Sequence, residues 1–370
     1  MRVLILANND IGLYKFRHEL IISLLKKHEV FISLPDGEYI KQLEEEGCKF
    51  IDTEFNRRGI NPLADINLVR RYICIIKRVK PHIVLTYTIK PNVYGGIACR
   101  ITKTAYIANV TGMGTSIENP GIVQKVALIL YKMALKRVQC VFFQNEPNKT
   151  FFIKNRIIDS IEQVKVIPGS GVNLDEHCYE PYPSEEQGLR FLFIGRIMRD
   201  KGVEELFDAA ERIKAKYPQV SFRLIGGSDE NYNDRIKKLE SSGVIKALGF
   251  QKNVHSYIAD SHCTILASYH EGTANVLLES AACGRPVIAS KVTGCLETFD
   301  EGITGLGCEV KNADSLFRQI EYFITLPQIK REEMGKLGRK KMEREYNRSI
   351  VVNSYLEEIN NSNYSGREIK

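Results

Sequence analysis

Short unbroken runs of Val, Ile, Leu and Phe alternate with helix-period segments along almost the whole chain, and this alternation constrains the fold more than any other feature. In the first half the runs are Arg2–Ala7, Glu29–Leu34, His82–Thr86, Ala105–Asn109, Gln139–Phe143 and Gln163–Ile167. Segments such as Phe16–Lys27, Leu63–Lys80 and Ile122–Lys136 lie between them with an apolar stripe at helical spacing. A strand that is apolar on both faces must be covered on both faces, and the intervening helices supply the cover. The pattern therefore predicts parallel α/β sheets.

The rhythm breaks over Pro168–Gly188, where three prolines and three glycines fall among several acids. It restarts with Arg190–Ile194, Val220–Ile225, Val244–Leu248, Cys263–Ala267 and Pro286–Ala289. With 370 residues the chain has room for two such cores. The expected organisation is a first domain over 1–172, a linker over 173–189 and a second domain over 190–345. Residues 346–370 should form a C-terminal helix that packs back on the first domain and then frays. Two doubly wound domains imply a cleft between them, with ligands outside the carboxyl ends of the strands.

Several function classes drop out on composition. No segment reaches the roughly 18 to 20 apolar residues needed to span a bilayer. The first apolar run, Val3–Ala7, is followed at once by Asn8, Asn9 and Asp10, which reads as a buried strand rather than a signal peptide. Nine cysteines without a Cys-x-x-Cys pair argue against a disulfide framework or a structural zinc site, and for a reducing cytoplasm. Charge is uneven. The first 172 residues hold 25 Lys and Arg against 15 Asp and Glu, whereas the remainder holds 27 against 30. A basic first half fits an anionic membrane surface or nucleic acid. Nucleic-acid binding is disfavoured because no recognised motif and no aromatic-basic interleaving is present.

The strand-to-helix loops of the second half carry the chemistry. Phe193–Gly202 leaves a strand and contains Gly195, Arg196, Lys201 and Gly202. The glycines permit close backbone approach, and Arg196 and Lys201 present positive charge suited to a diphosphate. Ser268–Glu279 follows the Cys263–Ala267 run. A helix is expected to start near Thr273, an N-cap residue type, and its unsatisfied N–H groups would face phosphate. Glu271 lies just before that helix and Glu279 inside it. Eight residues of helix span roughly 12 Å, enough for one carboxylate to hold sugar hydroxyls and the other a ribose. Gly226, in Gly226-Gly227-Ser228, leaves room for a nucleoside, and the backbone around Phe250, in Gly249–Asn253, would border the base.

Gly195-Arg196…Lys201-Gly202 followed by Glu271…Glu279 resembles the motif set of the retaining GT-B glycosyltransferases called family 4. The resemblance extends over nearly the whole chain and is closest to the bacterial branch that builds capsule, O-antigen and lipid-linked oligosaccharides. It implies two Rossmann-like domains facing a cleft, and transfer of a hexose or N-acetylhexosamine from a nucleotide sugar, UDP-linked by expectation. The acceptor it implies is a lipid-linked saccharide on undecaprenyl diphosphate. Carried over to this chain, Arg196 and Lys201 bind the diphosphate, Glu271 contacts the sugar, Glu279 the ribose, the backbone over Gly272, Thr273, Ala274, Asn275 and Val276 contributes to the phosphate site, and Gly12 approaches the donor from the first domain. No metal and no cofactor is implied, and no Asp-x-Asp motif is present.

The acceptor side is thinner. Lys90 is a candidate for an acceptor phosphate. Thr111 stands where many relatives of the family carry His, and Glu118 is the nearby alternative. Ile122–Arg137 places Lys125, Lys132, Lys136 and Arg137 among apolar residues, suiting the inner face of an anionic plasma membrane. Arg57, Arg58, Arg70 and Arg71 are further candidates for phosphate contact. The rival enzyme reading is a nucleotide-sugar 2-epimerase, for which no convincing set of acid and base groups is present.

Overall fold

The computed structural model describes residues 1–56, 61–112, 121–158, 160–228 and 231–365, with side chains to residue 361. The chain forms two compact units. One comprises residues up to Ser170 together with the segment from Ser349, and the other runs from Gly171 to Arg348.

The first unit is built on β1 (Arg2–Leu6), β2 (Glu29–Leu34), β3 (Lys49–Asp52), β4 (Ile83–Tyr87), β5 (Tyr106–Val110), β6 (Cys140–Phe143) and β7 (Val164–Val166). They lie in the order β3-β2-β1-β4-β5-β6-β7, all parallel. Side chains alternate between the two faces, as strand geometry requires. Val3 and Ile5 pack on one face with Leu20, Leu24 and Tyr355, whereas Leu4 and Leu6 pack on the other with Leu68, Tyr72 and Val141.

The second unit repeats the plan with β8 (Arg190–Ile194), β9 (Ser221–Ile225), β10 (Ile245–Ala247), β11 (Cys263–Leu266), β12 (Val287–Ser290) and β13 (Gly305–Cys308). Their order is β10-β9-β8-β11-β12-β13, again all parallel. Here Phe191 and Phe193 enter the main core with Phe207 and Phe323, while Leu192 points to the opposite face with Ile225, Ile258 and Cys283.

Two strands were not expected. β3 reads Lys-Phe-Ile-Asp, with charges at both ends, and β13 reads Gly-Leu-Gly-Cys, whose glycines carry little strand propensity. Both lie at a sheet edge, where β3 pairs with β2 and β13 with β12.

Two expected boundaries move. The stretch taken as a linker, 173–189, belongs to the second unit. Arg285, 1% exposed, donates to the carbonyls of Glu180 and Pro181 and also to those of Ala259 and Cys283. Arg331 pairs with Glu185, and the Tyr182 hydroxyl donates to the His262 carbonyl at 3.0 Å. The prolines therefore mark an ordered strap. The stretch Gln328–Asn361, whose sequence reads as helix, is interrupted. A helix over Gln328–Lys341 and a π-helical turn over Met342–Tyr346 belong to the second unit, and a new helix starts at Arg348. That last helix packs on the first unit through Val351, Val352, Tyr355 and Ile359.

Candidate functional site

The strand order of the second unit reverses between β8 and β11, which are neighbours. At such a switch point the loops leaving the two strands diverge to opposite faces and leave room for a ligand between them. The loops leaving these strands are the Gly195–Gly202 and Ser268–Ala274 segments, so the two motifs separated by some seventy residues share one location.

Backbone contacts tie five successive loops together at this end of the sheet. The Gly226 N–H donates to the Gly249 carbonyl at 2.9 Å, and the Gly195 N–H to Ile225 at 2.9 Å. Ile197 N–H donates to Gly227 at 2.9 Å, Tyr269 N–H to Asp200 at 2.8 Å, and Ala274 N–H to Gly294 at 2.8 Å. Glycine is required at three of these junctions. Gly202 has φ +68°, and a Cβ there would sit 2.0 Å from the Ala267 carbonyl oxygen. Gly226 has φ +145°, with the Gly195 oxygen 1.8 Å from a built Cβ. Gly294 has φ +86°, with the Glu271 and Gly272 oxygens at 2.5 and 2.8 Å. Any side chain at these positions would push two loops apart.

On this frame the Lys201 ammonium pairs with the Glu271 carboxylate at 2.5 Å, with side chains 20% and 14% exposed. A short 3-10 turn, Arg199–Lys201, ends at Gly202 and places Lys201 beside the second loop. Arg196 lies exposed on the same loop. Tyr269, buried beneath, donates its hydroxyl to Glu205 at 2.8 Å. Burial and the Glu205 carboxylate push that phenol up to about 12, so it remains a neutral donor.

The helix expected near Thr273 begins at Asn275 and runs to Ala282, with Ala274 as N-cap and no side-chain capping bond. The loop's bond to Gly294 holds Ala274 in the cap position. Only the second half of the Glu271–Glu279 interval is therefore helical, and the 12 Å helical estimate does not apply to it. The first turn contains no acid. Its N–H groups thus keep their positive end available to an outside anion. Asn275 Oδ1 is buried with no hydrogen-bond partner, an acceptor suited to a ligand hydroxyl. Glu279 lies on this helix, half-buried. Phe250, after β10, is 63% exposed.

Sequence reading missed the loop after β12. Gly294 cradles Glu271 and Gly272, and its own N–H donates to Glu297 at 2.7 Å. The signal was present: another strand end followed by a turn with a glycine.

The first unit treats its candidates differently. Gly12 lies in the first turn of a helix that begins at Asp10, earlier than the expected Phe16, because Asn9 caps it through the Gly12 N–H at 2.5 Å. Lys90 is committed to Asp65 at 2.9 Å, with side chains 14% and 9% exposed, rather than standing in solvent. Thr111 follows β5 and is half-buried. Glu118, Arg57 and Arg58 lie outside the described residues. Arg71 donates to the Glu54 carbonyl at 2.8 Å. Arg70 is exposed on the helix Pro62–Val79.

Comparison with known proteins agrees with this anatomy. Residues 180–341 match the family model "Glycosyl transferases group 1", and residues 2–145 match "Glycosyl transferase 4-like". The chain is 27% identical to the N,N'-diacetylbacillosaminyl-diphospho-undecaprenol alpha-1,3-N-acetylgalactosaminyltransferase of Campylobacter jejuni, over 96% of this chain and 97% of that protein. It is 26% identical to the capsular polysaccharide biosynthesis glycosyltransferase CapM of Staphylococcus aureus, over 88% of each. Among solved structures, a glycosyltransferase from Rickettsia africae superposes with a TM-score of 0.78 at 22% identity, covering 96% of this chain and 97% of that one. Anabaena HepE, solved with UDP and glucose, gives 0.78 at 20% identity over 98% of this chain and 100% of its own. With both halves matched to glycosyltransferase models, the 2-epimerase reading gives way: this chain is a glycosyltransferase, matching group 1 in its second half and the 4-like model in its first.

Proposed function

We propose that this glycosyltransferase moves a hexose or N-acetylhexosamine, with retention of configuration, from a UDP-linked donor to a saccharide carried on undecaprenyl diphosphate. The observation that carries the reading is the Lys201–Glu271 pair set at the switch point beside an uncapped helix start. The Campylobacter relative supports the acceptor class, since its name specifies a diphospho-undecaprenol saccharide. The HepE complexes support a UDP donor.

The proposed mechanism follows from the charges. As the bond from the anomeric carbon to the diphosphate breaks, positive charge grows on the sugar and negative charge on the leaving oxygen. Lys201, Arg196 and the N–H groups at the start of Asn275–Ala282 stabilise that oxygen, and preorganised donors of this kind need no reorientation during the step. Lys201 is held in place by Glu271 before the donor arrives. The Glu271 carboxylate then accepts from sugar hydroxyls, and Asn275 Oδ1 accepts from another. The acceptor hydroxyl attacks on the face the diphosphate leaves, and its proton passes to the departing phosphate oxygen. The nucleotide lies along Gly226 and Phe250, with its ribose at Glu279. The positive groups named here take the place of a metal ion in the proposal.

The same proposal places the enzyme on the inner face of the plasma membrane. On helix Ile122–Leu135, Ile122, Val126, Ile129 and Met133 are 82%, 44%, 60% and 47% exposed. They fall at helical spacing on one face, with Lys125, Lys132 and Lys136 exposed beside them. An apolar stripe flanked by lysines suits an anionic leaflet. No described helix is long and apolar enough to cross a membrane.

The test is to incubate purified protein with UDP-sugars, first alone and then with an undecaprenyl-diphosphate-linked saccharide. Sugar should move only when the acceptor is present. Conversion of the donor sugar without acceptor, or transfer that ignores the lipid diphosphate, would overturn the reading.

A further inference from the structure

At the opposite end of the Asn275–Ala282 helix from the donor loops, the strap of residues 177–180 meets the start of the helix His255–Ala259. Cys178 Sγ, Glu180 Oε1 and His255 Nε2 converge there. The thiol lies 3.4 Å from the carboxylate oxygen and 3.8 Å from the imidazole nitrogen, and these last two are 3.1 Å apart. A tetrahedral ion with bonds of about 2.3 Å to sulfur and about 2.0–2.2 Å to nitrogen and oxygen spaces its ligand atoms by roughly 3.3–3.6 Å. All three observed edges lie within about 0.3 Å of that range.

The frame beneath is fixed. Arg285 holds the Glu180 carbonyl at 2.9 Å, Arg339 holds the His177 carbonyl at 3.0 Å, and the Glu180 N–H donates to the Cys283 carbonyl at 3.3 Å. The other imidazole nitrogen, His255 Nδ1, faces the buried Cys283 sulfur at 3.4 Å. A ligating histidine is commonly oriented by such a partner on its second nitrogen. Cys178 is exposed and Glu180 and His255 are half-buried, so an ion can enter and a water can complete the fourth position.

We propose that Cys178, Glu180 and His255 form a binding site for a borderline-soft divalent ion, with zinc as the best match, that clasps the strap to the helix at His255. Thiolate, imidazole and carboxylate together favour zinc over magnesium or calcium. Coordination forms one bond from each side chain to the ion, and the Cys178 thiol proton passes to buffer. The site lies apart from Lys201 and Glu271, so its role is to fix the strap rather than to serve transfer. The absence of a Cys-x-x-Cys pair does not bear on it, because two ligands come from Cys178-x-Glu180 and the third from a helix far along the chain.

The test uses the full chain. One equivalent of cobalt(II) should produce thiolate-to-cobalt charge-transfer absorption with tetrahedral ligand-field bands, and zinc should displace them. Zinc should also raise Tm. Cys178→Ser and His255→Gln should each abolish both effects, while the circular dichroism of the metal-free protein stays unchanged. Cys283→Ala should retain the cobalt band. No band in the unmodified protein, or a band that survives Cys178→Ser, overturns the proposal. So does a band that requires Cys283 and His177 in place of Cys178 and Glu180.

Discussion

The loops leaving the second sheet and those leaving the first are built from different materials. In the second unit the backbone makes the frame: five loops share N–H to carbonyl bonds, and Gly202, Gly226 and Gly294 are the only residue type that fits. On that frame the Lys201–Glu271 pair is held ready at the switch point. In the first unit side chains make the frame. The Thr86 hydroxyl donates to Asn92, whose amide donates to the Asn109 carbonyl at 2.7 Å, and Asn109 in turn donates to the Tyr355 hydroxyl at 2.6 Å. Lys90 is committed to Asp65. Polar groups spent on holding a fold are poor guides to a substrate. The candidate site is therefore easier to read in the second unit than in the first.

The largest expected effect tests the backbone frame. Gly202→Val combines a positive φ with a Cβ 2.0 Å from a carbonyl oxygen, so the two loops at the switch point cannot stay together. UDP binding by calorimetry should fall below detection. Retained binding would show that the loops tolerate separation and that the frame is not what holds the donor.

Acid should act unequally on the two units. His262 is fully buried, accepting from the Arg190 N–H at 2.9 Å through Nδ1. Burial, followed by the nearby Arg190 charge, lowers its pKa from 6.5 to about 4. A depressed histidine contributes stability that is present above the unfolded value and is lost as pH falls from about 6.5 toward 4. The shift corresponds to a loss on the order of 3 kcal/mol. The first unit's His18 and His28 are partly exposed and His82 is exposed. Urea melts between pH 7 and 4.5 should lose stability in the second unit first, and His262→Gln should flatten the dependence. An unchanged slope in the variant would assign the acid sensitivity elsewhere.

A smaller effect probes the side-chain frame. Asn92→Ala leaves the Thr86 hydroxyl and the Asn109 carbonyl without their partner in a buried site, costing about 1–3 kcal/mol. The urea midpoint should drop while the KM for the donor stays as it was. A raised donor KM would mean that this network also shapes the donor site.

How much could be read in advance follows the same division. The parallel sheets were legible because β1, β4, β8 and β11 are apolar on both faces. The edge strands β3 and β13 were not, since Lys-Phe-Ile-Asp is charged at both ends and Gly-Leu-Gly-Cys carries two glycines of low strand propensity. Lys201 and Glu271 were legible because each follows a strand end with a glycine close by. The helix start was misplaced from Thr273 to Asn275 because a tertiary bond from Ala274 to Gly294, invisible to local capping rules, sets it. Prolines at 181 and 183 read as a linker, but buried Arg285 turns the same segment into a strap of the second unit. Lys90 reads in the sequence as a cation for an acceptor phosphate, and only the fold brings Asp65 to it.

The central claim is that the Lys201–Glu271 locus binds the donor diphosphate. The most direct measurement is UDP affinity and kcat/KM for sugar transfer in Lys201→Ala beside the unmodified enzyme, with the Tm of each recorded. Loss of a donor that stabilises the leaving group should lower kcat/KM by roughly 10²- to 10³-fold, with weaker UDP binding and little change in Tm. Near-normal transfer and UDP affinity in a folded Lys201→Ala protein would contradict the account.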